Sequence, residues 1–183
     1  VIGYVPQVIS ADGSLTGYEN LLVFAKLYDI PRSQRQQRVK EALEFMGLLE
    51  AAHSLVRNYS GGMIRRLEIA QSMLHRPKVL FMDEPTVGLD PVARRAVWDH
   101  IKRLRNEYGM TIFLTTHYME EAESICDRVA IMNRGVVVAV GSPAELKSSI
   151  GKPAATLDDV FTHYKGDTLE SRGSYRDVLR VRR

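Results

Sequence analysis

Val79-Leu80-Phe81-Met82-Asp83-Glu84-Pro85 is the stretch that decides the fold. Four consecutive apolar residues form too short a run for a helix and lack the alternation of a half-buried strand, so they predict a strand covered on both faces. Six residues beyond Glu84, Asp90 and Pro91 supply an N-cap and a proline at the first helical position, opening a helix with Val97, Ile101 and Leu104 inward. Gly109 closes that helix, and Thr111 to Thr115 predicts a second buried strand. Strand, helix, strand in this order predicts a parallel sheet flanked by helices.

Upstream the pattern is helical. Thr16 and Glu19 form a capping box ahead of Leu21, Leu22 and Ala25, in an element that Pro31 is expected to end. Val39, Ala42, Leu43 and Met46 recur at i, i+3, i+4 and i+7, predicting a helix that stops near Gly47. A third helix is expected from Gly61-Gly62 to Pro77, with Met63, Leu67, Ala70 and Leu74 on one stripe. Val1 to Val5 reads as the middle of a strand. Downstream, Met119, Ala122 and Cys126 mark a short helix, and Val129–Met132 and Val136–Val140 flank a hairpin turn at Asn133-Arg134-Gly135. Ser142 to Glu145 is a second capping box, and Thr156 opens a helix carrying Leu157, Val160, Phe161 and Tyr164. Beyond Lys165 the sequence turns polar and is expected to be loosely held.

Composition bounds the function. The 183 residues are 45% hydrophobic, enough for one substantial core. The formal charge of +3 is spread over interspersed acids and bases, which gives no strong case for nucleic acid or an anionic membrane as the main partner. Arg172, Arg176, Arg180, Arg182 and Arg183 gather at the end and read as a solvated tail. The one cysteine, Cys126, excludes an internal disulfide and suits a reducing compartment. No apolar run reaches the roughly 20 residues that span a bilayer.

Two carboxylates at the end of a buried strand lie at the carboxyl edge of a parallel sheet, where open α/β folds bind ligands. Asp83 suits Mg²⁺, a hard cation that prefers carboxylate and water oxygens. Glu84 can polarise a water, although a solvated strand end would carry the same two acids. Tyr59-Ser60-Gly61-Gly62-Met63 precedes a helix, where glycines and free N–H groups favour a phosphate; an ordinary cap would use the same residues. Leu114-Thr115-Thr116-His117 ends the second strand and puts His117 at the edge of Asp83 if the strands are neighbours. Tyr4-Val5-Pro6-Gln7 ends the opening strand in an amide.

In that order and spacing, Gln7, Tyr59 to Gly62, Val79 to Pro85, Gly88-Leu89-Asp90 and His117 resemble the Q-loop, signature motif, Walker B, D-loop and switch histidine of ATP-binding cassette (ABC) ATPases, over residues 1 to about 151. The stretch Thr115 to Glu123 resembles the transporter version. Tyr59, Met63 and Thr156-Leu157-Asp158-Asp159-Val160-Phe161 resemble the drug-exporter, daunorubicin-resistance-like branch. The resemblance implies that Asp83 binds Mg²⁺, that Glu84 activates the attacking water, and that Gln7 contacts the metal or that water. It implies that His117 meets the γ-phosphate and that Ser60, Gly61 and Gly62 bind the ATP of the opposite subunit. Asp90 would lie across the dimer interface. ATP and Mg²⁺ would be the cofactors. A second nucleotide-binding domain and a transmembrane permease would be the partners, with the subunit peripheral on the cytoplasmic face.

The family's Gly-x-x-x-x-Gly-Lys-Ser/Thr loop, whose N–H groups cradle the phosphates, is not found in these residues. The one Gly-Lys, Gly151-Lys152, has Leu146 and Pro153 where glycine and Ser/Thr are required. The fold expected is therefore an incomplete P-loop NTPase of the ABC kind with an inserted helical subdomain. Its parts are 1–76 (end of the Q-loop strand plus the signature subdomain), 77–151 (Walker B, D-loop and switch histidine) and 152–183 (C-terminal helix and basic tail). A chain that starts mid-strand at Val1 is expected to be a fragment, inactive alone and self-associating through exposed apolar sheet edges. The absence of sustained heptads speaks against chromosome-maintenance ATPases. The alternative is a non-catalytic module that pairs with an intact cassette.

Overall fold

The computed structural model describes residues 2–170. Val1 and the C-terminal arginine cluster lie outside them. The elements run β1 (Ile2–Val5), α1 (Gly17–Leu27), α2 (Arg32–Phe45), α3 (Gly61–Met73), β2 (Val79–Asp83), α4 (Pro91–Tyr108), β3 (Thr111–Thr115), α5 (Met119–Ile125), β4 (Val129–Asn133), β5 (Val136–Gly141), α6 (Pro143–Ser149) and α7 (Leu157–Glu170). The chain divides into two compact units at His117/Tyr118.

The first unit is built on a parallel three-stranded sheet in the order β1-β2-β3. In-register alignment puts Gly3, Leu80 and Ile112 side by side, then Val5, Met82 and Leu114. Val5, Leu80 and Met82 are buried. A Cβ on Gly3 would lie 2.6 Å from the Ser72 carbonyl oxygen, so α3 presses directly on this face. The α4 helix packs against α3 and β3 and buries Val97, Ile101 and Leu104. Its predicted N-cap holds, with Asp90 accepting from the N–H groups of Val92 and Ala93 at 2.9 Å each.

The opposite face departs from expectation. Val79 to Met82 and Thr111 to Thr115 were both expected to be covered on two faces, yet Phe81 is half-buried and Phe113 is 59% exposed. Tyr4, beside Phe81 in β1, is 57% exposed. Among the described residues the helices α3 and α4 pack on one side, and the rings of Phe81 and Phe113 meet at a tilt on the other with centroids 5.5 Å apart. Exposed apolar side chains thus lie on a sheet face as well as on its edge strands β1 and β3.

The helices upstream follow their caps. Thr16 and Glu19 form the reciprocal box in α1. Pro31 does not end α1; the helix stops at Leu27, Asp29 takes φ +53°, and Pro31 is the N-cap of α2. The C-terminal end of α2 is bound from outside, by Arg66 donating to the Met46 carbonyl at 2.8 Å and Arg103 to that of Phe45 at 3.3 Å. Both arginines also favour the negative end of the helix dipole.

The second unit gathers Ala122, Ile131, Leu146, Leu157 and Val160 into its own core. Its β4–β5 hairpin turns on Arg134 (φ +52°) and Gly135 (φ +79°), the two positive angles of a two-residue turn. The inward face of α5 is Glu121, Ala122 and Ile125, so the helix ends before Cys126, its C-cap. Helix α7 runs from Leu157 to Glu170.

Asp159 receives an ammonium from Lys152 at 2.5 Å and the N–H and hydroxyl of Thr156 at 2.9 Å each, which together hold its carboxyl down at about 2. A depressed carboxyl stabilises fully above its free value near 3.8 and loses that contribution as pH falls toward 2. Acid titration of stability should therefore show a loss in the window of about pH 4 to 2 that Asp159→Asn removes. An unchanged acid limb in the variant would refute this assignment.

Candidate functional site

The site is assembled by strand ends. Parallel pairing of β2 with β3 sets Asp83 opposite Thr115, and the next residues along each strand, Glu84 and Thr116-His117, leave the sheet together. Thr115 Oγ1 donates to Asp83 Oδ1 at 2.5 Å and accepts from the Glu84 N–H at 3.1 Å. The same N–H also reaches the Thr115 carbonyl at 3.1 Å. Glu84 sits at φ +44°, a left-handed conformation that costs a non-glycine residue about 1–3 kcal/mol and persists where neighbours enforce it. Thr115 is one enforcer; the turn that follows, with Val87 N–H on the Glu84 carbonyl, is another.

That unusual backbone turns the Glu84 side chain between two partners. Gln7 Nε2 donates to Glu84 Oε2 at 3.1 Å, and His117 Nδ1 lies 3.1 Å from Glu84 Oε1. Three of the residues singled out in the sequence, 77 and 33 positions apart, thus meet on one carboxylate, with Asp83 tied in through Thr115. Thr115 itself was read only as part of the strand end, and its bridging hydroxyl has no signature in the sequence beyond its place opposite Asp83.

Ser60, Gly61 and Gly62 stand at the start of α3. Ser60 accepts from the Met63 N–H at 3.3 Å. Gly62 was read as room for an anion, and it has a packing role as well: a Cβ there would fall 2.8 Å from that of Ala93 in α4. Gly61 is exposed beside Leu89. Tyr59 is buried and donates its hydroxyl to the Ala51 carbonyl at 2.7 Å, and burial pushes its pKa up. Asp90 is exposed but already employed as the α4 cap.

Two buried charges escaped the sequence reading. Arg65 and Glu68, on α3, pair at 3.2 Å with side chains 5% and 1% exposed. Their spacing alone looks like any helical i, i+3 pair.

The oxygen-rich donor set of Asp83, Glu84, Thr115 and the Gln7 amide fits Mg²⁺, which takes one or two carboxylates and completes its shell with water and phosphate oxygens. Among the described residues no group of three or more His, Cys, Asp or Glu forms an all-protein metal cage.

The family profile of ABC transporters matches residues 1–87. The chain is 43% identical over 150 residues to the linearmycin resistance ATP-binding protein LnrL of Bacillus subtilis (strain 168), covering 82% of this chain and 48% of that protein. It is 43% identical over 156 residues to the daunorubicin/doxorubicin resistance ATP-binding protein DrrA of Streptomyces peucetius, covering 85% and 47%. The structure of cbiO1 from Clostridium perfringens, part of the ABC transporter complex cbiONQ, superposes with a TM-score of 0.75 at 30% identity, covering 81% of this chain and 60% of that one.

The fold is that of an ABC ATPase α/β domain, with a parallel sheet flanked by helices. This chain belongs to the ABC transporter ATP-binding domains, and its homologues include drug-resistance ATP-binding proteins. It spans about half the length of the curated relatives it matches.

Removing the Thr115 hydroxyl tests the bridge. Thr115→Val should lower stability by about 0.5–1.5 kcal/mol, read as a lower denaturant midpoint at unchanged slope. An unmoved midpoint would mean that the hydroxyl contributes nothing to holding Asp83 and Glu84.

Proposed function

We propose that this chain is part of the ATP-hydrolysing subunit of an ABC transporter, in the exporter branch, with Glu84 as general base. The observation that carries the reading is the Glu84 carboxylate held between the Gln7 amide and the His117 ring. A base must be oriented before it is useful, and an oriented one contributes about 10²–10⁴ in rate.

In this reading Asp83 and Gln7 hold Mg²⁺, which when bound neutralises charge on the transferring phosphoryl group. Glu84 takes the proton of the attacking water. His117 points its ring toward the terminal phosphate. Ser60 and the N–H groups of Gly61 and Gly62 meet the γ-phosphate of the ATP carried by a second cassette, favoured by the helix dipole of α3. Asp90 caps α4 where it crosses the dimer interface. The division into a signature part (1–76), a catalytic part (77–151) and a C-terminal part (152–183) follows these roles.

The partners are a second nucleotide-binding domain and a transmembrane permease, with the subunit peripheral on the cytoplasmic side. The relatives support this: cbiO1 belongs to a transporter complex, and LnrL and DrrA are resistance proteins. No helix among the described residues is long and apolar enough to cross a membrane. Because the 183 residues hold no Gly-x-x-x-x-Gly-Lys-Ser/Thr loop, this stretch alone is expected not to turn ATP over. The same observation favours a second reading, a non-catalytic module that lends its Ser60–Gly62 face to an intact cassette.

Hydrolysis by the subunit carrying its phosphate loop separates the two. Glu84→Gln should lower ATP turnover by about 10²–10⁴ while nucleotide binding persists. Parental turnover in that variant would reject Glu84 as the base, and failure of the parent to hydrolyse ATP would favour the non-catalytic reading.

A further inference from the structure

The segment from Pro6 to Ser10, which carries Gln7, has little apolar anchorage. Val8 is 78% exposed and Ile9 57%. Polar contacts from one helix, α3, hold its backbone. Arg65 Nη1 donates to the Pro6 carbonyl at 2.7 Å, and Nη2 donates to that of Gln7 at 3.1 Å. Glu68 Oε1 accepts the Ser10 N–H at 2.5 Å and the Ser10 hydroxyl at 3.2 Å. The two side chains then close on each other, Arg65 Nη1 to Glu68 Oε2 at 3.2 Å. Every one of these bonds involves a charged group, the stronger class of hydrogen bond.

A buried ion pair is a poor source of stability. Desolvating both charges costs several kcal/mol each, and packed apolar residues of similar volume often do as well or better. Here both charges are spent on the backbone of one short loop, at its two ends. Gln7 in turn donates to Glu84, whereas Arg65 and Glu68 lie on the helix that Ser60, Gly61 and Gly62 open.

We infer that Arg65 and Glu68 are positioning residues that fasten the Gln7 segment to α3, so that the helix start and the Gln7–Glu84 contact keep one geometry. This rests on the catalytic reading of Glu84 proposed above. The pair touches neither nucleotide nor reacting atoms; it acts through the backbone on which Gln7 is mounted. Without the clamp, the loop retains its covalent ends but loses the four bonds that tie it to α3, and the Gln7 amide is free to leave Glu84. Displacements of about 1 Å at such a distance from the chemistry can cost about 10²-fold in rate.

The test is made on the whole subunit assembled with its membrane partner. Variants are Arg65→Met with Glu68→Leu, which replaces the pair by apolar residues, and the single Glu68→Gln, which keeps shape and removes charge. Amide exchange at Ser10, melting temperature, and kcat and KM for ATP are read together. The double variant should melt close to the parent, exchange faster at Ser10, and lose about 10- to 100-fold in kcat at unchanged KM. Arg65→Lys, which cannot span the Pro6 and Gln7 carbonyls with one fork, should not restore the rate.

Parental kcat in a folded variant with faster Ser10 exchange would overturn the inference. So would a loss of kcat that merely tracks the loss of folded protein. If the double variant does not fold, Glu68→Gln is judged by the same criteria. Glu84→Gln run in parallel keeps the two claims apart: if it abolishes turnover while the clamp variants do not, only the clamp fails; if it leaves turnover intact, the catalytic reading fails.

Discussion

The parallel pairing of β2 with β3 is the constraint on which the site depends. With Asp83 opposite Thr115, the two strands end at the same level, and the residues that follow leave the sheet side by side. A shift of one residue would turn Asp83 to the other face, because side chains alternate along a strand. It would also take the Thr115 hydroxyl away from both Asp83 and the Glu84 N–H. Register is in turn set by burial: Leu80 and Met82 must face α3, and that fixes Asp83 on the open side.

Given that frame, the positive φ of Glu84 has a physical account. The chain turns sharply after β2, and Glu84 accepts the strain because its N–H is held by Thr115 and its carboxylate by Gln7 and His117. Strain of this kind collects at functional sites when the surrounding structure over-determines it. Here the determining contacts come from three places in the chain: the segment after β1, the turn after β2 and the end of β3. The α3 helix links them, since it packs on β1, meets α4 through Gly62 and Ala93, and holds the Gln7 segment through Arg65 and Glu68.

Much of this was legible in the sequence because it depends on local rules. The caps at Thr16, Asp90 and Ser142, the turn at Arg134-Gly135 and the β2 run are each written within a few residues. The convergence of Asp83, Glu84 and His117 also followed, once strand–helix–strand order implied adjacent parallel strands. What sequence could not show is tertiary. Whether a strand is covered on one face or two depends on what packs there, so Phe81 and Phe113 were read as buried like Leu80. Arg65 and Glu68 look like an exposed helical pair until the Pro6–Ser10 segment is placed against them. Pro31 was read as a stop, whereas the positive φ at Asp29 already ends α1 and leaves the proline to open α2.

The whole account stands on three side chains sharing one edge of the sheet. A crystallographic determination of the protein measures this directly. It should find the Glu84 carboxylate within hydrogen-bonding reach of both the Gln7 amide and the His117 ring, with Asp83 bonded to Thr115 beside it. Glu84 and His117 on different faces of the sheet, or a β2–β3 register that separates Asp83 from Thr115, would contradict it.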